Sequence, residues 1–172
     1  MKSPVFFILA ILIVSCAPIR VTYDYDLQTD FSHYKTYNYY KDMETGLSEL
    51  DTKRLLDELD TSMAMRGFSL VETPDFFIDI KSEQFQINQQ NTVGVGLGGG
   101  GRNAGGGISI GLPIGQSNIN RQITIDFVDE NKKQLFWQAV SESSFNPNGT
   151  PENREAKLKA IVEKILSKYP PK

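Results

Sequence analysis

Few side chains in this sequence carry reactive chemistry, and most of those stand alone. The chain has one cysteine, Cys16, and one histidine, His33. A metal site would have to combine His33 with carboxylates, because no Cys/His spacing of the zinc-binding type is present. No Gly-x-Ser-x-Gly elbow presents a serine nucleophile. His33, set in a tyrosine-rich segment, is therefore expected at the surface or in an ordinary hydrogen bond. Among the acids, Asp75 and Asp79 fall four apart in an extended segment, on one face and about 13 Å apart by strand rise. That is too far to share a proton. Asp126 and Asp129 flank a strand end and a turn, where aspartate is ordinary, and Asp24 and Asp26 read as the polar face of a strand. Solvated faces are the expectation for all of them, although pairing across strands is invisible in a linear chain. No catalytic residue, metal ligand or cofactor is assigned, and the chain is read as non-enzymatic.

A second feature with chemical potential is the glycine tract. Residues 94–115 hold 11 of the 14 glycines. Gly94-x-Gly96-x-x-Gly99 formally matches a dinucleotide fingerprint, but no helix follows to aim its N-terminus at a pyrophosphate, and the surroundings are not a βαβ unit. No Gly-Lys-Ser/Thr ending makes it a phosphate-binding loop. Each glycine fixed in regular structure costs roughly 0.5–1 kcal/mol relative to alanine, and loops beyond about 12–15 residues tend to be functional or disordered. The tract is read as a flexible insertion at about 92–119; a ligand or partner contact is the competing reading.

Cys16 sits at the end of a three-part N-terminus. Lys2 is followed by an uncharged apolar run from Val5 to Val14, about half of the roughly 20 residues that a membrane span needs. That length suits an export signal. Ile13-Val14-Ser15-Cys16 resembles a lipobox, so residues 1–15 are expected to be removed and Cys16 to become the lipidated first residue. One acyl chain holds a protein marginally and two or more hold it firmly. The resemblance implies two or three chains, and with Ala17 rather than Asp in the second position it implies the outer membrane. The periplasmic side is expected because no acidic cluster follows Cys16. With one cysteine no intramolecular disulfide can form, so the domain rests on its core.

Removing Lys2 takes 18 basic residues to 17 against 21 acidic ones, a mature charge of −4. This mild acidity, without a basic stripe, argues against nucleic acid as a partner. Residues 16–172 are enough for one domain.

The elements follow from periodicity. Ile19–Asp26 alternates as a strand, and Thr36–Tyr40 reads as β on aromatic content. Leu55, Leu59 and Met63 recur at spacing four in a helix over Ser48–Arg66, which Gly67 stops. Phe76–Ile87 is a long strand whose apolar phase switches near Glu83, as a bulge or a sheet edge would cause. Arg121–Asp129 and Leu135–Phe145 form a hairpin about the turn at 129–133. Asn148-Gly149-Thr150, a glycosylation sequon in form, is read as a turn, with Thr150 capping a final helix that has Pro151 at its first position. Leu158, Ile161, Val162, Ile165, Leu166 and Tyr169 line that helix. The expected fold is α+β: an antiparallel sheet with two amphipathic helices on one face, the other face being polar or covered. The cluster Tyr23, Tyr25, Phe31, Tyr34, Tyr37, Tyr39 and Tyr40 divides between core and surface in a way that spacing does not settle.

With these elements placed, the chain resembles a family of bacterial lipoproteins defined by a domain of unknown function (number 4136 in that series). The matching segments are Tyr23-Asp24-Tyr25-Asp26, Asp30-Phe31 through Tyr34-Lys35-Thr36-Tyr37, Gly67-Phe68, Pro74-Asp75, Ile125-Asp126-Phe127-Val128-Asp129, Leu135-Phe136-Trp137 and Tyr169-Pro170-Pro171. Gln138-Ala139 departs where a glycine often follows the tryptophan, and Tyr169 stands where phenylalanine is usual. The resemblance implies a fold and an envelope location and assigns no activity. The expected function is a membrane-anchored binding or structural role with an envelope protein as partner. The alternative is a small-ligand or lipid-binding module using the uncovered sheet face.

Overall fold

The structure, a computed structural model, describes residues 18–87 and 118–171. Cys16, the signal segment 1–15 and residues 92–117 of the glycine-rich insertion lie outside the described residues. Six strands and two helices are present: β1 (Arg20–Tyr25), β2 (Thr36–Tyr39), α1 (Glu49–Met65), β3 (Ser69–Leu70), β4 (Phe76–Ile87), β5 (Asn118–Asp129), β6 (Leu135–Ser144) and α2 (Pro151–Leu166), with a single 3-10 turn at Phe31–His33. They form one sheet in the order β1-β6-β5-β4-β2-β3.

The sheet is mixed, which corrects the expectation of a purely antiparallel one. β2 pairs parallel with both β3 and β4, whereas β1, β6, β5 and β4 are joined by antiparallel pairs. The reason is α1. A helix between two strands returns the chain to the starting end of the sheet, so the next strand runs the same way as the one before. The fold remains α+β with two helices. Two smaller expectations also change. β5 begins at Asn118, so the last two positions assigned to the insertion belong to the strand. The phase switch near Glu83 is no bulge, since β4 and β5 pair in continuous register from Phe76 to Ile87. The irregularity lies instead between Phe127 and Val128, where β5 meets β6. Past Ser82 both faces of β4 are exposed, and Phe85 has no core to point into.

Both helices start as the sequence predicts. Ser48 accepts a hydrogen bond from the Asp51 N–H, Glu49 and Asp51 place negative charge in the first turn of α1, and Thr150 caps α2 with Pro151 behind it. Gly67 ends α1 at φ +85°. Leu55, Leu59 and Met63 are fully buried, and each such side chain contributes about 1.5–3 kcal/mol. Ion pairs Asp51–Arg154 and Glu58–Lys159 run along the helix pair, so α1 and α2 lie side by side in the same direction. They cover the face carrying Phe76, Ile78, Ile80, Ile123, Ile125, Phe127 and Trp137.

The aromatic cluster divides as follows: Tyr34 and Tyr37 are buried, Tyr23, Phe31 and Tyr39 pack partly against the core, and Tyr25 and Tyr40 are exposed. Tyr34 stacks on Phe136 at 4.1 Å between ring centroids. Tyr169 is 5% exposed, wedged against Phe127 and Trp137, and its hydroxyl has no hydrogen-bond partner among the described residues. Burial pushes that hydroxyl's pKa far up, so it stays a neutral donor without an acceptor. Tyr169→Phe is expected to raise stability by about 1 kcal/mol by removing an unsatisfied buried group. Urea denaturation measures this, and a loss of stability would show that the hydroxyl is satisfied in solution.

Candidate functional site

Among the described residues the fold assembles four polar groupings, three of which fasten separate elements together while the fourth lies on the open sheet face. The first joins the segments that carried the family resemblance. Asp75 Oδ2 accepts from the N–H of Lys35, the N–H of Thr36 and the Thr36 hydroxyl, each at 2.8 Å. Asp129 accepts from the Tyr34 hydroxyl at 2.7 Å and from the Lys132 N–H at 2.6 Å. The Glu130 N–H donates to the Asp75 carbonyl and links the two aspartates through the main chain. Burial pushes each carboxyl up, and the donated hydrogen bonds outweigh it, so both are held below the ordinary carboxylate range. Here Tyr34, Thr36, Asp75, Asp129 and Phe136 fasten strand starts and the β5–β6 turn together.

The second grouping is centred on Asp51, 1% exposed at the N-terminus of α1. Arg54 donates to its Oδ1 at 2.9 Å and Arg154 to its Oδ2 at 2.7 Å, while Arg121 lies 3.6 Å from Oδ2. Arg121 is itself buried and stacks over the Phe145 ring, 3.5 Å from its centroid. Arg154 also donates to the Gly149 and Pro147 carbonyls. Burial pushes the Asp51 carboxyl up, but the charge and hydrogen bond of Arg154, the hydrogen bond of Arg54 and the charge of Arg121 hold it below the usual range. One carboxylate thus joins α1, α2 and β5.

The third grouping underlies an open groove of about 600 Å³ beside α1. Its apolar walls are Tyr39, Met43, Leu56 and Leu70, with Lys53 and Asp57 at the polar side. Asp60 Oδ1 accepts from both Tyr37 at 2.8 Å and Tyr39 at 2.7 Å. Burial first, then the Asp60 hydrogen bond and charge, push both tyrosine hydroxyls far up, so they remain donors.

The fourth is the sheet face away from the helices. It carries Thr22, Asp24, Gln138, Thr124, Asp126, Asp79 and Lys81, and Tyr40 stacks on Phe77 at one corner. Asp79 and Asp126 stand directly opposite each other, the cross-strand pairing that a linear reading cannot see. Like charges so placed are destabilising. Lys81 holds Asp79 at 2.8 Å and Gln138 holds Asp126 at 2.7 Å, and the pair lies on an open surface rather than in a pocket.

The residues weighed from sequence are thus dispersed. His33 is 78% exposed in its side chain, with Nδ1 3.0 Å from Asp30 Oδ2. Asp75 and Asp79 serve separate groupings, as do Asp126 and Asp129. Cys16 falls outside the described residues. Asp51, Arg121, Arg154 and Asp60 were missed, because apart from the Asp51–Arg54 pair within α1 each acts through contacts distant in sequence. Among the described residues no group of three or more His, Cys, Asp or Glu is placed to hold a metal ion. No described helix is long and apolar enough to cross a membrane.

The Asp51 network yields a prediction. Its carboxyl is depressed in the fold, so the stability it contributes is present above the unfolded value of 3.8 and is lost as pH falls through the lower folded value. Asp51→Asn leaves buried arginine charge uncompensated and should cost about 3–5 kcal/mol at neutral pH. The gap from wild type should narrow as the pH falls below 4 (roughly the unfolded carboxylate range). Denaturation series at several pH values measure this, and a gap independent of pH would contradict it.

Comparison with solved structures finds the same fold at low identity. A PDZ domain protein from Parabacteroides distasonis ATCC 8503 matches with TM-score 0.58 and 14% identity over 91% of this chain, which spans 36% of that one. A point variant of the PelC dodecamer from Paraburkholderia phytofirmans and the PelC dodecamer itself match with TM-scores 0.51 and 0.50, each at 8% identity over 87% of this chain and 95% and 96% of theirs. None of the curated proteins compared matches. The model of a domain of unknown function, DUF4136, matches residues 21–171, nearly the whole described chain and every segment of the resemblance, and the protein belongs to that family.

Proposed function

We propose that the protein is a lipid-anchored lipoprotein of the bacterial outer membrane, on its periplasmic side, with a binding or structural role rather than a catalytic one. The observation that carries the reading is Cys16, the single cysteine, at the end of an uncharged apolar run and four residues before β1 begins at Arg20. Four residues of extended chain span about 14 Å, so acylation at Cys16 would hold the sheet edge close to the membrane. A binding role is supported by where the polar chemistry is spent. Asp51, Asp75, Asp129 and Asp60 are each engaged in bonds that join elements of the fold. The PelC structures, which share the fold, are dodecamers, and this is in keeping with a part in an assembly.

A small-ligand reading has one observation in its favour, the groove beside α1, whose volume falls in the range of about 300–1,000 Å³ typical of ligand sites. The open sheet face supports it less, being largely polar.

The anchor is tested by Cys16→Ala. The variant should leave the membrane fraction and accumulate with residues 1–15 uncleaved, read by fractionation and intact mass. Unchanged attachment and processing would refute it. Crosslinking of the native membrane-bound protein tests the binding role, and recovery of lipid or glycan without a protein partner would favour the groove instead.

A further inference from the structure

We propose that the outer edge of β1 is a self-association surface, and that its occupant is the same strand of a second copy of this chain, running antiparallel. β1 is an edge strand of the sheet, so among the described residues its outer side has no strand partner. The direction of its main-chain groups follows from its inner side. Asp26 continues the register with β6 and donates its N–H to the Phe136 carbonyl at 3.0 Å. Residues alternate along an antiparallel ladder, so Arg20, Thr22 and Asp24 turn their N–H and C=O groups toward β6. Val21, Tyr23 and Tyr25 turn theirs outward. The Tyr25 N–H is already taken by Asp24 Oδ1 at 2.9 Å, which leaves the donors of Val21 and Tyr23.

The strand Arg20-Val21-Thr22-Tyr23-Asp24 is complementary to its own reverse. With two copies aligned about Thr22, Arg20 meets Asp24 of the second copy and Asp24 meets its Arg20. Val21 meets Tyr23, and the two threonines face each other. Opposite charges, paired threonines and a β-branched residue against an aromatic one are each favourable across strands. The Val21–Tyr23 pairs fall at hydrogen-bonded positions, so both outward donors and both outward acceptors of each strand are used. Arg20, Thr22 and Asp24 are all exposed, on the face that no helix covers. Moving the centre to Val21 sets Arg20 against Thr22 and removes the ion pairs. Moving it to Tyr23 calls on the Tyr25 N–H that Asp24 holds. The Thr22 register alone satisfies charge and main chain together, and the result is a closed two-fold pair. It also covers an edge that is otherwise open to unspecific strand addition.

This inference goes beyond the anchor and stands without it, because the pairing is the same whether or not Cys16 is acylated. The test is the mass of the full-length protein in mild detergent, by sedimentation or light scattering. The wild type should be dimeric. Arg20→Asp sets Asp against Asp, Asp24→Arg sets Arg against Arg, and each should raise the dimer dissociation constant about tenfold or more. The double variant R20D/D24R exchanges the charges and should restore the wild-type constant. Thr22→Cys in a Cys16→Ala background places two thiols at a non-hydrogen-bonded pair with Cα atoms about 4.5 Å apart, within disulfide reach, and should give a linked dimer on mild oxidation. A monomeric wild type, a constant unmoved by the single substitutions, or a double variant no tighter than either single one would overturn the proposal.

Discussion

A single buried carboxylate holds together the corner of this fold where two helices and the sheet meet. Asp51 begins α1, Arg154 begins α2, and Arg121 lies in β5, so the two helices are registered against each other and against the sheet at one point. Burying so many charges costs several kcal/mol per ion before attraction returns any of it. The geometry that makes it tolerable is specific: a close contact to Arg154, another to Arg54, and the Arg121 guanidinium lying flat on Phe145. An apolar corner would let the helices slide along the sheet, since apolar contacts are non-directional. A carboxylate held by three guanidiniums permits one arrangement. The parallel alignment of α1 and α2, and hence the crossover that makes β2 run with β4, are consistent with that constraint.

Much of this was legible in the sequence wherever the physics is local. Ser48, Gly67, Thr150 and Pro151 announce helix ends because capping needs particular side chains at particular offsets. Phe76, Ile78 and Ile80 announce a buried face because a strand alternates. What local pattern cannot carry is direction and partner. β2 is four residues long, and nothing in Thr36-Tyr37-Asn38-Tyr39 says whether its neighbour runs with it or against it. Asp75 reads as part of a strand face and Asp129 as an ordinary turn aspartate until Tyr34, Lys35 and Thr36 arrive from a distant segment. Gly46, at φ +69° against the Ser82 carbonyl, lies in a loop that reads as unremarkable polar linker. A side chain there would meet main chain that cannot move aside.

The family segments acquire a physical meaning from the same contacts. Tyr34, Thr36, Asp75, Asp129 and Phe136 form one interlocked turn region, and Trp137, Tyr169 and Phe127 the aromatic heart of the core. Their joint presence reflects what this fold requires in order to close. The open sheet face, the groove beside α1 and the two sheet edges lie outside these contacts. The contacts that carry the family resemblance are contacts that hold the fold, and a fold by itself assigns no function.

The strand order has a consequence for how the molecule comes into being. Among the described residues β1 is the first element, yet it pairs only with β6, the last strand, and Tyr23 bonds to the Lys164 carbonyl in the final helix. A chain emerging N-terminus first therefore carries β1 without its strand partner until β6 has been made. The sheet cannot be completed until Leu135–Ser144 has appeared, nor α2 seated on it until later still. Until then β1 and the outer side of β5 lack the strand that joins them, the condition in which strands add to the wrong partner. The late closure makes completion of the sheet wait on its last strand, with the first strand held open until then.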